Sequence, residues 1–183
     1  MAHDILIVDD EADIRDLVAG ILEDEGFTTR TARDSDEALA EVSGRRPHMV
    51  FLDIWLQGSK LDGLQLLEKI KQDNPDTPVV MISGHGNIET AVAAIKRGAY
   101  DFIEKPFKSD RLILVATRAL ETSRLKREVK ELKQLAPAAS SLVGRSPSMN
   151  QLRQTIERAA KANSRIMIVG PSGAGKELAA RTL

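Results

Sequence analysis

The chain has 183 residues, enough for one domain of ordinary size and a remainder. Hydrophobic residues make up 42% and charged residues 29%, which excludes global disorder, and a net charge of −1 gives no whole-chain attraction for nucleic acid or an acidic membrane. Cysteine is absent, which excludes disulfides, zinc–thiolate sites and thiol catalysis and fits a reducing compartment.

Met1 to Asp4 runs straight into a strand without a signal-peptide pattern, and no apolar run reaches the ~18–20 residues of a membrane span. The expected location is the cytoplasm. Ile5 to Val8 forms the first strand. Ile14, Leu17, Val18, Ile21 and Leu22 recur at three- and four-residue spacing, so residues 12–25 read as an amphipathic helix that Gly26 stops. Phe27 to Thr31 is a second, threonine-rich strand, and Ala38, Leu39 and Val42 mark a short helix. Met49 to Leu52 is the third strand. Asp62-Gly63 opens a helix carrying Leu64, Leu66, Leu67 and Ile70. After the fourth strand, Val79 to Ile82, Asn87 is placed to cap a helix with Ile88, Ala91, Val92 and Ile95 that closes at Gly98. Phe102 to Glu104 is the fifth strand, and a fifth helix starts near Ser109-Asp110.

Five β–α alternations predict a parallel sheet with helices on both faces, a flavodoxin-like doubly wound fold of strand order 2-1-3-4-5. Strands 1, 3, 4 and 5 read as buried on both faces, and the polar second strand as an edge. Residues 109–135 lack Gly and Pro, and Leu125, Val129 and Leu132 extend an apolar stripe beside a basic face. That stretch is either a solvated surface helix or a short coiled-coil linker pairing two chains. Pro137 to Ser141 reads as a flexible joint. Beyond it, Ser146-Pro147 starts a helix over 147–161, Arg165 to Val169 reads as a strand, and Gly170-Pro171-Ser172-Gly173-Ala174-Gly175-Lys176 has P-loop spacing. The expected domains are 1–120, a helical linker with its joint over 121–141, and 142–183.

The chemistry lies at the strand ends. Asp9-Asp10 follows the first run, Asp53 the third, Ser83 the fourth, and Lys105-Pro106 the fifth. In a parallel sheet all of them meet at the carboxyl edge, where open α/β sheets bind ligands. Three clustered carboxylates repel one another unless a cation joins them, and an all-oxygen set with few protein ligands suits Mg²⁺. Carboxylate, metal, hydroxyl and ammonium together make a phosphoryl-accepting site. The histidines His3, His48 and His85 lack metal-ligand grouping and read as solvated or core residues.

These motifs, in this order, resemble the receiver domain of bacterial two-component response regulators over the first ~120 residues. The resemblance implies that Asp53 is phosphorylated by a sensor histidine kinase. It implies that Asp10 and Asp53 hold Mg²⁺ directly, with Asp9 acting through water and the Trp55 backbone carbonyl as a further ligand. Ser83 and Lys105 would bind phosphoryl oxygens, Tyr100 would be the aromatic rotor of the switch, and the Lys105–Pro106 peptide would be cis. The loop 54–63 departs from the family by lacking Pro and being about two residues longer. It places the only tryptophan beside the metal, where the bulk of Trp55 would slow hydrolysis of the acyl phosphate.

Gly170, Gly173, Gly175 and Lys176 resemble the opening of the AAA+ domain in NtrC-type transcriptional regulators, where the usual Ser/Thr after the lysine is Glu, as in Glu177 here. The whole chain resembles the nitrogen-related NtrX branch of that type. Only seven residues follow Lys176, so ATP binding is expected only in a complete AAA+ domain, with no ATP hydrolysis from this chain. DNA contact would come through a C-terminal domain absent here, and the other partner would be a second copy of the chain. The output face would be helix 4, strand 5 and helix 5. Two other readings stand beside this one. One is a constitutive dimerisation module with a vestigial acidic site. The other is a Mg²⁺-dependent aspartyl phosphohydrolase, against which Trp55 stands where dehalogenase-type phosphatases want a second Asp.

Overall fold

The computed structural model describes residues 3–84, 88–135, 144, 146–161 and 165–182. Its elements run β1 (Asp4–Val8), α1 (Ala12–Asp24), β2 (Thr28–Ala32), α2 (Ser35–Gly44), β3 (Met49–Asp53), α3 (Gly63–Asp73), β4 (Val79–Ser83), α4 (Ile88–Lys96), β5 (Asp101–Glu104), α5 (Ser109–Leu135), α6 (Pro147–Ala160) and α7 (Lys176–Thr182). The residues expected to cap α4 (Asn87) and to form the joint (137–141) lie outside the described ones, as does His85.

The five strands form one parallel sheet of order β2-β1-β3-β4-β5. This is the flavodoxin-like arrangement read from the strand pattern. Strand side chains alternate between two cores. Leu6, Val8, Val50, Leu52, Val79 and Met81 face α2, α3 and α4 through Ala38, Val42, Leu66, Leu67, Ile70 and Ala94. Ile5, Ile7, Met49, Phe51, Val80 and Ile82 face α1 and α5 through Val18, Leu22, Leu112, Val115, Ala116 and Ala119. Burial of this aliphatic set supplies most of the driving force, about 1.5–3 kcal/mol for each large side chain taken out of water.

β1, β3 and β4 are buried on both faces. β5 is not, contrary to the expectation from its sequence: it closes the sheet opposite β2, leaving Asp101 and Phe102 half-buried and Glu104 exposed. An edge strand has one neighbour, so half of its surroundings are solvent.

Local chemistry sets the helix ends. The Asp34 side chain accepts the Glu37 N–H at α2, and Asp62 forms a reciprocal capping box with Gln65 at α3. Gly26 and Gly98 follow α1 and α4 in the left-handed region, where glycine carries no Cβ penalty. α5 runs unbroken over the length its composition allows.

The chain forms two compact units, 1–127 and 128–183. In the second, α6 starts at Pro147 with Ser146 accepting the Met149 N–H, and Ile156 packs with Ala179, Met149, Ile168 and Leu178. The strand expected over Arg165 to Val169 does not form. A strand needs a neighbour to satisfy its backbone, and the second unit has no strand among its described residues; Met167 and Val169 stand mostly in solvent.

Candidate functional site

The carboxyl edge of β1 and β3 brings the three acids together. Ligand oxygens of Asp9, Asp10 and Asp53 all lie within 4.8 Å of one another. Asp9 and Asp53 are buried and Asp10 is half-buried. The Asp9 Oδ1 accepts the Glu11 N–H at 3.0 Å, and the Arg15 guanidinium donates to the Asp9 and Asp10 carbonyls at 2.7 and 3.1 Å, so the first turn of α1 fixes this corner. The Asp53 Oδ1 accepts the Ile54 N–H at 2.9 Å.

One ammonium serves the group. The Lys105 Nζ donates to Asp9 Oδ2 at 2.8 Å and lies 3.5 Å from Glu11 and 3.8 Å from Asp53. It arrives from β5, whose Lys105 N–H donates to the Ser83 carbonyl at 2.8 Å, and the Lys105–Pro106 peptide is cis. Ser83, wholly buried, ends β4 beside it.

Burial pushes the Asp53 carboxyl up to about 6, with the charges of Asp9 and Asp10 adding to the effect and Lys105 and the Ile54 N–H opposing it. Burial also works against the Lys105 ammonium, but its bond to Asp9 and the charges of Asp53, Asp9 and Glu11 outweigh it, and its pKa is raised. The site holds more negative charge than one lysine neutralises. Its donors are carboxylate oxygens alone, which fits a hard divalent cation such as Mg²⁺. Among the described residues no other group of three or more acids or histidines is so arranged.

α3 supports Asp53 in a way its sequence only hinted at. A Cβ on Gly63 would stand 2.0 Å from the Asp53 carbonyl oxygen and 2.6 Å from the Ile54 Cα, while the Gly63 N–H donates to the Ile54 carbonyl at 2.9 Å. Only glycine lets the helix start against the backbone that carries Asp53. The long loop between them is anchored: Ile54 and Leu56 are buried, the Ser35 N–H donates to Ser59 Oγ, the Leu61 N–H donates to Ser35 Oγ, and Lys60 pairs with Asp36. Trp55 lies between the buried pair and is itself 55% exposed.

Tyr100 does not belong to this edge. Its N–H donates to the Val79 carbonyl at the start of β4, about 13 Å of strand from Ser83, and its hydroxyl bonds Thr122 on α5. The aromatic on β5 nearer the edge is Phe102, half-buried in the α4-side core, whereas Tyr100 packs on the α5 side. Phe102 stands three residues before Lys105 and Tyr100 five, before β5 begins, a difference in position that the bare presence of an aromatic does not carry.

In the second unit, Gly173 and Gly175 take positive φ and Lys176 heads α7, as P-loop spacing requires. The Lys176 ammonium donates to the Gly170 and Pro171 carbonyls at 2.9 and 2.6 Å.

The response regulator receiver domain model matches residues 5–117. The chain belongs to the response regulator receiver family. The sigma-54 interaction domain model matches residues 142–183, so the receiver is followed by the start of a second family domain. Over its full length this receiver-bearing chain is 69% identical to the nitrogen assimilation regulatory protein NtrX of Azorhizobium caulinodans, of which it covers 40%. The crystal structure of NtrX from Brucella abortus matches with a TM-score of 0.83 at 72% identity, covering 100% of this chain and 40% of that one. The receiver domain of the same B. abortus protein matches with a TM-score of 0.64 at 76% identity, covering 65% of this chain and 99% of that one. The chain thus spans about 40% of the length of the full-length relatives it matches.

Proposed function

We propose that Asp53 is a phosphoacceptor, charged by a sensor histidine kinase, in a regulator of nitrogen-related transcription. The observation that carries this is the junction of Asp9, Asp10 and Asp53 with the single Lys105 ammonium at one sheet edge. In the transfer an Asp53 carboxylate oxygen bonds phosphorus while the phosphorus–nitrogen bond of the kinase phosphohistidine breaks and the imidazole leaves. A bound Mg²⁺ would neutralise charge on the phosphoryl group. Asp10 and Asp53 would hold it directly, Asp9 through water, and the Trp55 backbone carbonyl would be a further ligand. Lys105 binds one phosphoryl oxygen and the Ser83 hydroxyl another, so positioning and charge neutralisation supply the catalysis.

An acyl phosphate adds charge where Lys105 and Ser83 sit, drawing in the ends of β4 and β5. That motion reaches α4, which packs on β5 and whose Ile88, Val92 and Ile95 are exposed. The role of rotor passes from Tyr100 to Phe102 because Phe102 stands on the strand that moves. The output domains are an AAA+ unit, which binds ATP when complete, and a DNA-binding domain; the partners are the kinase and a second copy, and the location is the cytoplasm. No helix among the described residues is long and apolar enough to cross a membrane.

The test is intact mass after incubation with Mg²⁺ and a small acyl phosphate. One added phosphoryl group, lost in Asp53→Ala and without Mg²⁺, is the expected result. No adduct would move the dimerisation-module reading forward. Trp55→Ala should shorten the adduct's lifetime by opening the site to water.

A further inference from the structure

Glu11 occupies the N-cap of α1 without doing the work of a cap. Caps favour Ser, Thr, Asp or Asn, whose short side chains accept a helix N–H, and here the side chain makes no capping bond. The Glu11 carboxylate instead lies 3.5 Å from the Lys105 ammonium, brought there from a distant part of the chain, while its own N–H is held by Asp9. The helix forgoes a cap and gains a contact with the one lysine of the site. That lysine is shared between partners, bonded to Asp9 at 2.8 Å and in a longer ion pair with Asp53 at 3.8 Å.

We propose that Glu11 is a positioning residue that retains Lys105 on the Asp9 side of the site, and so limits how readily the ammonium reaches the phosphoryl group entering on Asp53. This rests on the phosphoacceptor reading above. Glu11 is 64% exposed in its side chain, so the contact is weak enough to yield when a doubly charged group arrives. Asp9 fixes where the ammonium is, and Glu11 adds the outer pull that opposes its swing toward Asp53.

The side chain's reach and its charge are separable. Glu11→Gln removes the charge; Glu11→Asp keeps the charge, is too short to reach Lys105, and supplies the missing cap. In the full chain with Mg²⁺ and an acyl phosphate, both variants should form the adduct faster, by about two- to fivefold, the range an exposed ion pair supports. Half-saturation by Mg²⁺, followed by Trp55 fluorescence, should rise by a similar factor, because an ammonium nearer Asp53 competes with the cation. Glu11→Asp should also melt at a higher temperature, which a loss of fold would not produce. Acceleration by Glu11→Gln alone would make the effect one of charge at the mouth and overturn the proposal. Unchanged rates in both would reduce Glu11 to a solvated residue and overturn it too. An unaltered chain that forms no adduct would remove the phosphoacceptor reading and this inference together.

Discussion

The two ends of the same sheet each bury an aspartate on or beside β1, and they treat it in opposite ways. At the amino edge, Asp4 takes two bonds from the Arg30 guanidinium at 3.0 and 2.8 Å and lies 3.3 Å from Arg45, while Arg30 also bonds Glu41. Its N–H donates to the His48 Nδ1 at 3.0 Å. Two guanidiniums serve one carboxylate, and the charge is spent on structure. At the carboxyl edge, one ammonium is shared among Asp9, Glu11 and Asp53, with Asp10 adjoining. A closed ion pair has nothing left to offer a ligand. A cluster short of positive charge does, and that shortfall separates the site from the staple.

The largest effect should come from the backbone under the site. Gly63→Ala puts a methyl 2.0 Å from the Asp53 carbonyl, so β3 or α3 must shift; the cost should exceed about 3 kcal/mol, read as a fall in Cm by urea unfolding. Asp4→Asn should cost about 2–4 kcal/mol, because Arg30 then keeps only Glu41 and carbonyls as partners, and the folded fraction should still accept a phosphoryl group.

Asp53→Asn should act in the other direction. The folded chain keeps the Asp53 proton up to about pH 6, whereas the unfolded chain releases it near 3.8. The folded state therefore binds more protons between those values, and this group's contribution to stability falls as pH rises through the window. Without divalent cations the Asn variant should lose that slope and exceed the parent at pH 7 by up to about 3 kcal/mol. Mg²⁺ should stabilise the parent and leave the variant unmoved, a contrast that thermal melts at pH 5 and 7 resolve.

The smallest effect belongs to Tyr100. Thr122 donates its hydroxyl proton to the Arg118 carbonyl, so Tyr100 is the donor in their bond, and Tyr100→Phe should cost about 1 kcal/mol without changing adduct formation. Phe102→Ala, by contrast, should alter how the adduct is transmitted to α4. An altered phosphorylation rate in Tyr100→Phe would restore Tyr100 to the switch.

Much of the site was legible because chain order and strand polarity suffice to place it. Asp9, Asp10, Asp53, Ser83 and Lys105 each follow an apolar run, and parallel strands deliver their ends to one edge whatever the loops do. The edge position of β2 followed from its threonines. Other features were hidden for particular reasons. β5 reads as aliphatic, yet an edge is defined by a missing neighbour, which no residue of β5 encodes. Arg165 to Val169 has strand composition and no strand beside it. Tyr100 and Phe102 are both aromatic, and the register against β4 shows that Phe102 pairs within the strand while Tyr100 precedes it.

Periodicity and capping act over a few residues, so residue order alone was enough to set the alternation of elements, the sheet they form and the set of residues that meet at its carboxyl edge. Tertiary structure alone decided who shares Lys105, why position 63 must be glycine, and which carboxylates are satisfied. Those outcomes depend on distances between groups brought together from β1, β3, β4 and β5, and on burial that raises the Asp53 pKa only once all of them have packed.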